Sequence, residues 1–140
     1  MAIFTLTDCM IIINGVTLSD HGNQVTITDS REDKDATAFG ATSKASLKGL
    51  GEATMDLVLF QDFAAGKVHA TLQPLIASTT PVAVEVRPTS AARSATNPAA
   101  LLSTALMFDY KMLDASVGDV PMTTASFKNS GNAGMTYPTS

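Results

Sequence analysis

This chain of 140 residues is short of the side chains that do chemistry. It has a single cysteine, Cys9, so it can form neither an intrachain disulfide nor a cysteine-based metal site. Its two histidines, His21 and His69, are not in a ligand spacing such as His-x-x-x-His. No Gly-x-Ser-x-Gly elbow presents a nucleophilic serine. Charged residues make up only 16%, against roughly 25% in ordinary soluble chains. A small protein this poor in charge either hides surface against another subunit or tolerates a bland Ser/Thr/Ala face. The nine basic residues are scattered among thirteen acidic ones, for a net charge of −4. Nucleic-acid affinity rests on clustered Lys and Arg, so a phosphate-binding groove is not expected. No run approaches the roughly 18 apolar residues of a membrane span, and the first residues carry no basic segment of a signal peptide. Neither an enzymatic reaction nor a metal or other cofactor is expected.

What is present is β patterning. Met10-Ile11-Ile12-Ile13 and Val16-Thr17-Leu18 flank Asn14-Gly15, the dipeptide that suits a two-residue hairpin because both turn positions need positive φ. Gln24 to Thr28 alternates, with Val25 and Ile27 facing in. Ala53 to Phe60 is a strand with Ala53, Met55, Leu57 and Leu59 on one face. Asp62 is a candidate N-cap. Val68, Leu72, Leu75 and Ile76 fall at helical spacing, which predicts one short helix over about 63–73, with Pro74 ending or kinking it. Val82, Val84 and Val86 alternate between Pro81 and Pro88. Leu102 to Leu113 is the longest alternating stretch. One face there is Leu102, Leu106, Phe108, Tyr110 and Met112. The other carries Ser103, Ala105 and Met107, a candidate seam between subunits. Val120 to Lys128 closes the set of strands. The order predicts a mainly β fold, a β sandwich or half-barrel with one flanking α-helix, in a single domain over 1–128. Residues 129–140 read as a polar C-terminal arm. Strands this long leave edges, and an exposed edge is a template for pairing with another copy.

Between Asp29 and Gly51 the periodicity vanishes, which predicts a long loop over 29–52. Such loops inside compact domains are usually functional or disordered. Its acidic residues lack the Asp-x-Asp-x-Asp-Gly order of an EF-hand, so they read as solvated charge. Gly49-Leu50-Gly51 lacks the lysine of a phosphate loop. Phe39, Leu47 and Leu50 read instead as apolar anchors that dock on this subunit or a neighbour.

Several segments, in this order, carry a family likeness. They are Ile12-Ile13-Asn14-Gly15-Val16-Thr17-Leu18-Ser19-Asp20-His21, Val25-Thr26-Ile27, Asp35-Ala36-Thr37-Ala38-Phe39-Gly40 and Gly49-Leu50-Gly51-Glu52-Ala53-Thr54. Phe60-Gln61-Asp62-Phe63-Ala64-Ala65, Ala70-Thr71-Leu72-Gln73-Pro74-Leu75 and Ala125-Ser126-Phe127-Lys128-Asn129-Ser130-Gly131 follow. This layout resembles the major tail (tail tube) proteins of long-tailed, non-contractile bacteriophages, especially the short forms in phages of actinobacteria. The resemblance implies a tail-tube-like fold, with subunits in hexameric rings that stack into the conduit for DNA ejection. It also implies tail terminator, tape measure and tail-tip proteins as partners, and assembly in the host cytoplasm into the virion tail. DNA would pass transiently, without specific binding or a membrane contact. By position, Asp29, Arg31, Asp33, Asp35, Phe39, Leu47 and Leu50 become the ring-stacking loop. Asp56 and Asp109 become candidates for the lumen wall. A capsid decoration or head–tail connector protein is the alternative, since it too is a small β assembly module.

Overall fold

The structure is a computed structural model, and it describes residues 3–140. Seven strands are joined by antiparallel pairing into one sheet: β1 (Met10–Ile13), β2 (Val16–Thr17), β3 (Gly22–Asp35), β4 (Ser46–Phe60), β5 (Val82–Arg87), β6 (Ala100–Asp114) and β7 (Met122–Asn129). The order across the sheet is β2-β1-β5-β6-β7-β4-β3. One α-helix among the described residues, α1 (Val68–Ile76), packs on it. The fold is therefore mainly β with one flanking helix, and its strands share one continuous ladder instead of two separate sheets.

The Asn14-Gly15 turn takes the expected conformation, with φ of 51° and 82°, and pairs Ile13 with Val16. The sheet buries one face. Ala53, Met55, Leu57 and Leu59 of β4 point into the core as their alternation predicts, alongside Val84 and Val86 of β5 and Ala125 and Phe127 of β7. Ile11 and Ile13 come from β1, near the other edge, yet belong to the same core. That requires the sheet to curl. The Leu18 amide donates to the Ile11 carbonyl, and Ser19 Oγ accepts the Ile11 amide at 2.9 Å. A methyl group on Gly22, the first residue of β3, would lie only 2.8 Å from Ile11 Cδ1. The two ends of the sheet thus meet at one corner.

Helix α1 fills the open side of this curl with Val68, Leu72 and Leu75, while Ile76 stays exposed. It starts later than the predicted 63–73 because residues 62–67 are taken by turns. Asp62 Oδ1 accepts the Ala64 amide at 2.9 Å, and Gly66 has positive φ. Asp62 thus caps a turn and not the helix. Pro74 lies inside α1, in its last turn, where it supplies no amide to bond back to Ala70, and the helix ends two residues later as expected.

Two further expectations are corrected. The 29–52 stretch is not a loop: it is the outer half of the β3–β4 ribbon, paired from Asp29–Ala53 to Asp35–Ser46, with a tip at residues 36–45. Both faces of a free ribbon meet solvent, so no period-two burial marks its sequence. The C-terminal stretch is not a free arm either. β7 pairs with β6 only from Ala105 onward, and the tail takes up the vacated ladder. Leu101 and Thr136 exchange amide–carbonyl bonds of 2.9 and 3.0 Å, the Ala99 amide donates to Pro138, and Met135 is buried.

The corner where the sheet ends meet is tied by His21. Its Nδ1 lies 2.8 Å from Asp20 Oδ1, and its Nε2 lies 2.8 Å from Asp62 Oδ2, across to the segment leading into α1. The bond to Asp20 foremost, with that to Asp62, raises the His21 pKa above 6.5. The Asp62 pKa is lowered, by the Ala64 amide first and then by His21; that of Asp20 is lowered chiefly by His21.

Two predictions follow the packing and the clamp. Phe127 is fully buried, so Phe127→Ala is expected to cost about 3–5 kcal/mol, read as a shift in the denaturant midpoint. The raised pKa of His21 contributes stability that is complete below its unfolded value of 6.5 and lost as pH rises through the folded value. The lowered carboxylates contribute above 3.8 and lose their effect as pH falls through their folded values. Wild-type stability should therefore decline as pH rises from 6.5 through the raised folded value of His21, and His21→Gln should flatten that decline. An equal decline in the variant would show that His21 is not its source.

Candidate assembly interface

The ribbon is the most exposed part of the molecule, and its apolar side chains have nothing to pack on within the subunit. Phe39 is 110% exposed relative to an open reference, Leu50 79% and Leu47 63%. Asp35 shapes the tip, its Oδ1 accepting the Thr37 amide at 3.0 Å and the Thr37 hydroxyl at 2.7 Å. These bonds lower the Asp35 pKa, the hydroxyl bond foremost. Asp33 lies exposed along the ribbon, opposite Lys48. Asp29 and Arg31, at its base, are engaged within the subunit. Tyr137 donates its hydroxyl to Asp29 Oδ2 at 2.7 Å, and Arg31 Nη1 lies 3.7 Å from Asp29 Oδ1. That hydrogen bond to Asp29 raises the Tyr137 pKa. The seven residues assigned to this segment therefore divide into base residues that anchor the ribbon and outer residues free to meet a partner.

The face of the sheet away from the core is a second surface. Register aligns Thr26, Asp56, Ser126 and Asp109 across β3, β4, β7 and β6. Ser126 Oγ donates to Asp56 Oδ1 at 2.8 Å. The structure thus brings Asp56 and Asp109, far apart in sequence, to either side of one serine. Neighbouring rows carry Gln24, Val58, Thr124 and Lys111, and Thr28, Thr54, Lys128 and Leu106. Two acids and two lysines make these rows neutral overall.

The seam candidates are split. Ser103 is exposed, but Ala105 and Met107 are 0% and 5% exposed and lie in the subunit's own core. The cause is a pair of β-bulges. Val84 pairs with Leu102 but Val82 with Ala105, so an extra residue of β6 sits between them and flips the faces. A second irregularity between Met107 and Asp109 flips them back, leaving Phe108 59% exposed near Lys128, whose Nζ lies 5.8 Å from the ring centre. Simple alternation cannot locate either bulge.

Sequence reading also missed Glu85. It is 7% exposed and paired with Arg87 at 2.5 Å and with Arg93, which lowers its pKa, the bond from Arg93 being the larger cause. Here the 88–99 loop folds over the sheet, organised by Asn97, whose amide group donates to Ala91 O at 3.0 Å and accepts from the Thr89 amide at 3.1 Å. His69 Nδ1 lies 2.7 Å from the Tyr110 hydroxyl, joining α1 to β6. Among the described residues, no group of three or more His, Cys, Asp or Glu side chains comes together as a metal site.

No family model and no curated protein matches the sequence. Solved structures share the fold. A chain from the virion of a native gene transfer agent (GTA) particle superposes with a TM-score of 0.68 at 12% identity, over 94% of this chain and 95% of the other. A chain from the tail of an empty GTA particle, refined helically with C6 symmetry, gives 0.61 at 12% identity over 87% and 86%. A chain from the extended sheath–tube complex of an extracellular contractile injection system (PVC) gives 0.68 at 10% identity over 99% and 93%. The chain therefore shares its fold with chains of these assemblies.

Because the outer ribbon touches no core, Phe39→Ser with Leu47→Ser should change subunit stability by less than about 0.5 kcal/mol in denaturant unfolding. A larger loss would mean that the ribbon supports the fold of its own subunit.

Proposed function

We propose that this chain is a tail-tube subunit: copies join side by side into rings, and rings stack into a tube that carries DNA. The observation that carries the reading is a fold shared along nearly the whole chain with components of these particles, joined to a ribbon whose apolar side chains stay largely exposed in the subunit. Hexameric rings are favoured by the C6 symmetry of the GTA tail. The sequence resemblance favours the tube of a non-contractile phage of actinobacteria. The fold is also that of a chain in a contractile system, so this finer assignment rests on the sequence segments.

In this reading the outer ribbon, with Asp33, Asp35, Phe39, Leu47 and Leu50, reaches the adjacent ring, while Asp29 and Arg31 brace its base. Covering each of its large apolar side chains contributes roughly 1.5–3 kcal/mol. The threonine-rich outer face with Asp56 and Asp109 lines the lumen. Its neutrality suits a conduit, because each unopposed lysine would hold a phosphate of the passing duplex. The partners are further copies of the chain, with terminator, tape measure and tail-tip proteins at the ends of the tube in the virion.

Electron microscopy of the concentrated wild-type protein tests the reading: hollow tubes support it, and protein that stays monomeric, with no tubes in particles, overturns it. Trimers seated on capsids would instead establish the decoration role. The Phe39→Ser, Leu47→Ser double variant should fold but no longer stack, visible as rings or monomers without tubes. Asp56→Lys with Asp109→Lys places four lysines on a face that had two. Tubes should still form, and DNA ejection should slow and become dependent on salt. Unchanged ejection would remove this face from the lumen.

A further inference from the structure

Strand β4 runs the full length of the sheet, from the ribbon tip at Ser46 to Phe60. The apolar side chains of the ribbon lie at its first end. The opposite end carries a second exposed apolar group: Phe60, Phe63, Met112, Leu113, Val117 and Val120. The segments that carry them are joined at this end of the sheet. The Gln61 amide donates to Pro121 O at 2.9 Å, Gln61 Nε2 donates to Met112 O at 2.5 Å, and Phe60 pairs with Met122. Val117, at 108% exposed, stands out from the β6–β7 turn much as Phe39 stands out from the ribbon tip. At about 3.3 Å per residue, Leu47 and Phe60 are roughly 43 Å apart. One subunit therefore carries two unsatisfied apolar surfaces facing in opposite directions along its strands.

The two ends differ in charge: residues 33–48 of the ribbon carry Lys34, Lys44 and Lys48 against Asp33 and Asp35, a net charge of +1, whereas the turn carries acids alone. Lys44 and Lys48 at the tip take part in no ion pair among the described residues, and neither do Asp114 and Asp119 on the turn. The turn segment 112–121 contains no basic residue.

We propose that the β6–β7 turn end is the receptor for the ribbon: Phe39, Leu47 and Leu50 of one copy dock on the Phe60, Met112, Leu113 and Val117 surface of the next, with Lys44 and Lys48 facing Asp114 and Asp119. This proposal rests on the tail-tube reading and names its stacking partner. Two different surfaces on one chain make a heterologous, head-to-tail contact; set at opposite ends of the strands, it extends as an open stack instead of closing in a pair as a twofold contact does. The apolar groups supply the attraction, and the charges fix which end meets which.

Charge exchange in the full chain tests the pairing. Lys44→Glu with Lys48→Glu should raise the critical concentration for tubes at least about ten-fold, and so should Asp114→Lys with Asp119→Lys, by setting like charges face to face. All four changes in one chain should bring it back towards the wild-type value. Circular dichroism establishes that each variant is folded. If wild-type protein forms no tubes, the tail-tube reading itself fails. If wild-type tubes form and the Asp114, Asp119 variant assembles equally well, or the fourfold variant does not recover, the docking site is wrong while that reading stands. A second measurement avoids charge altogether. In a Cys9→Ser background, Phe39→Cys with Val117→Cys should cross-link assembled tubes into ladders with a short bismaleimide, and either cysteine alone should not. Intact tubes that yield only monomer would overturn the contact.

Discussion

A single sheet has two faces, and the described residues supply one α-helix with which to cover one of them. The sheet therefore curls until Ile11 of β1 and Gly22 of β3, near its opposite edges, come within contact of each other. Helix α1 closes the remaining opening with Val68, Leu72 and Leu75. Everything else follows from this closure. The side facing the helix becomes a continuous apolar core, the other side is left mostly to polar residues, and the strands longer than the core must leave it as ribbons. His21, bonded to Asp20 and Asp62, fastens the corner where the curl meets itself.

Backbone pairing does not stop where burial stops. β3 and β4 continue their ladder past the core to Asp35 and Ser46, with no side-chain packing of their own to support it. A two-stranded ribbon alone is marginal in water; here the buried half of the hairpin fixes the register of the free half. The ribbon thus projects apolar side chains at little cost to the fold, and contact with a neighbour can then supply the burial that the subunit lacks. Large exposed apolar surface is unusual on a monomer and marks places of contact.

The register shifts of β6 illustrate how local irregularity reassigns side chains. Those at 102–105 and 107–109 turn Ala105 and Met107 into the core and Phe108 outwards, and a third follows between Lys111 and Asp114. A strand that alternates without a break in sequence changes face at each of them. The tail then completes the ladder that β7 leaves unfinished, so a stretch of small polar residues with no core of its own becomes an ordered edge. Buried Glu85, neutralised by Arg87 and Arg93, holds the long 88–99 loop against the sheet, again through contacts between residues separated in the chain.

What the sequence by itself determined is what local chemistry determines. Asn14-Gly15 sets a turn because both positions need positive φ. The alternation of Ala53, Met55, Leu57 and Leu59 assigns the core face of β4, and the spacing of Val68, Leu72 and Leu75 assigns that of the helix. The scarcity of cysteine, histidine and clustered bases turned the reading from chemistry towards assembly, and the apolar residues at 39, 47 and 50 stood out against a polar stretch. Only the tertiary structure decided that residues 29–52 pair as a ribbon, that the tail docks on β6, that β6 changes face along its length, and that Asp56 and Asp109 flank one serine. The reason is physical. Turn preference and one-sided burial leave a periodic trace in sequence, whereas backbone ladders, bulges and cross-strand neighbours depend on which strand lies alongside, and that is settled only when the sheet closes.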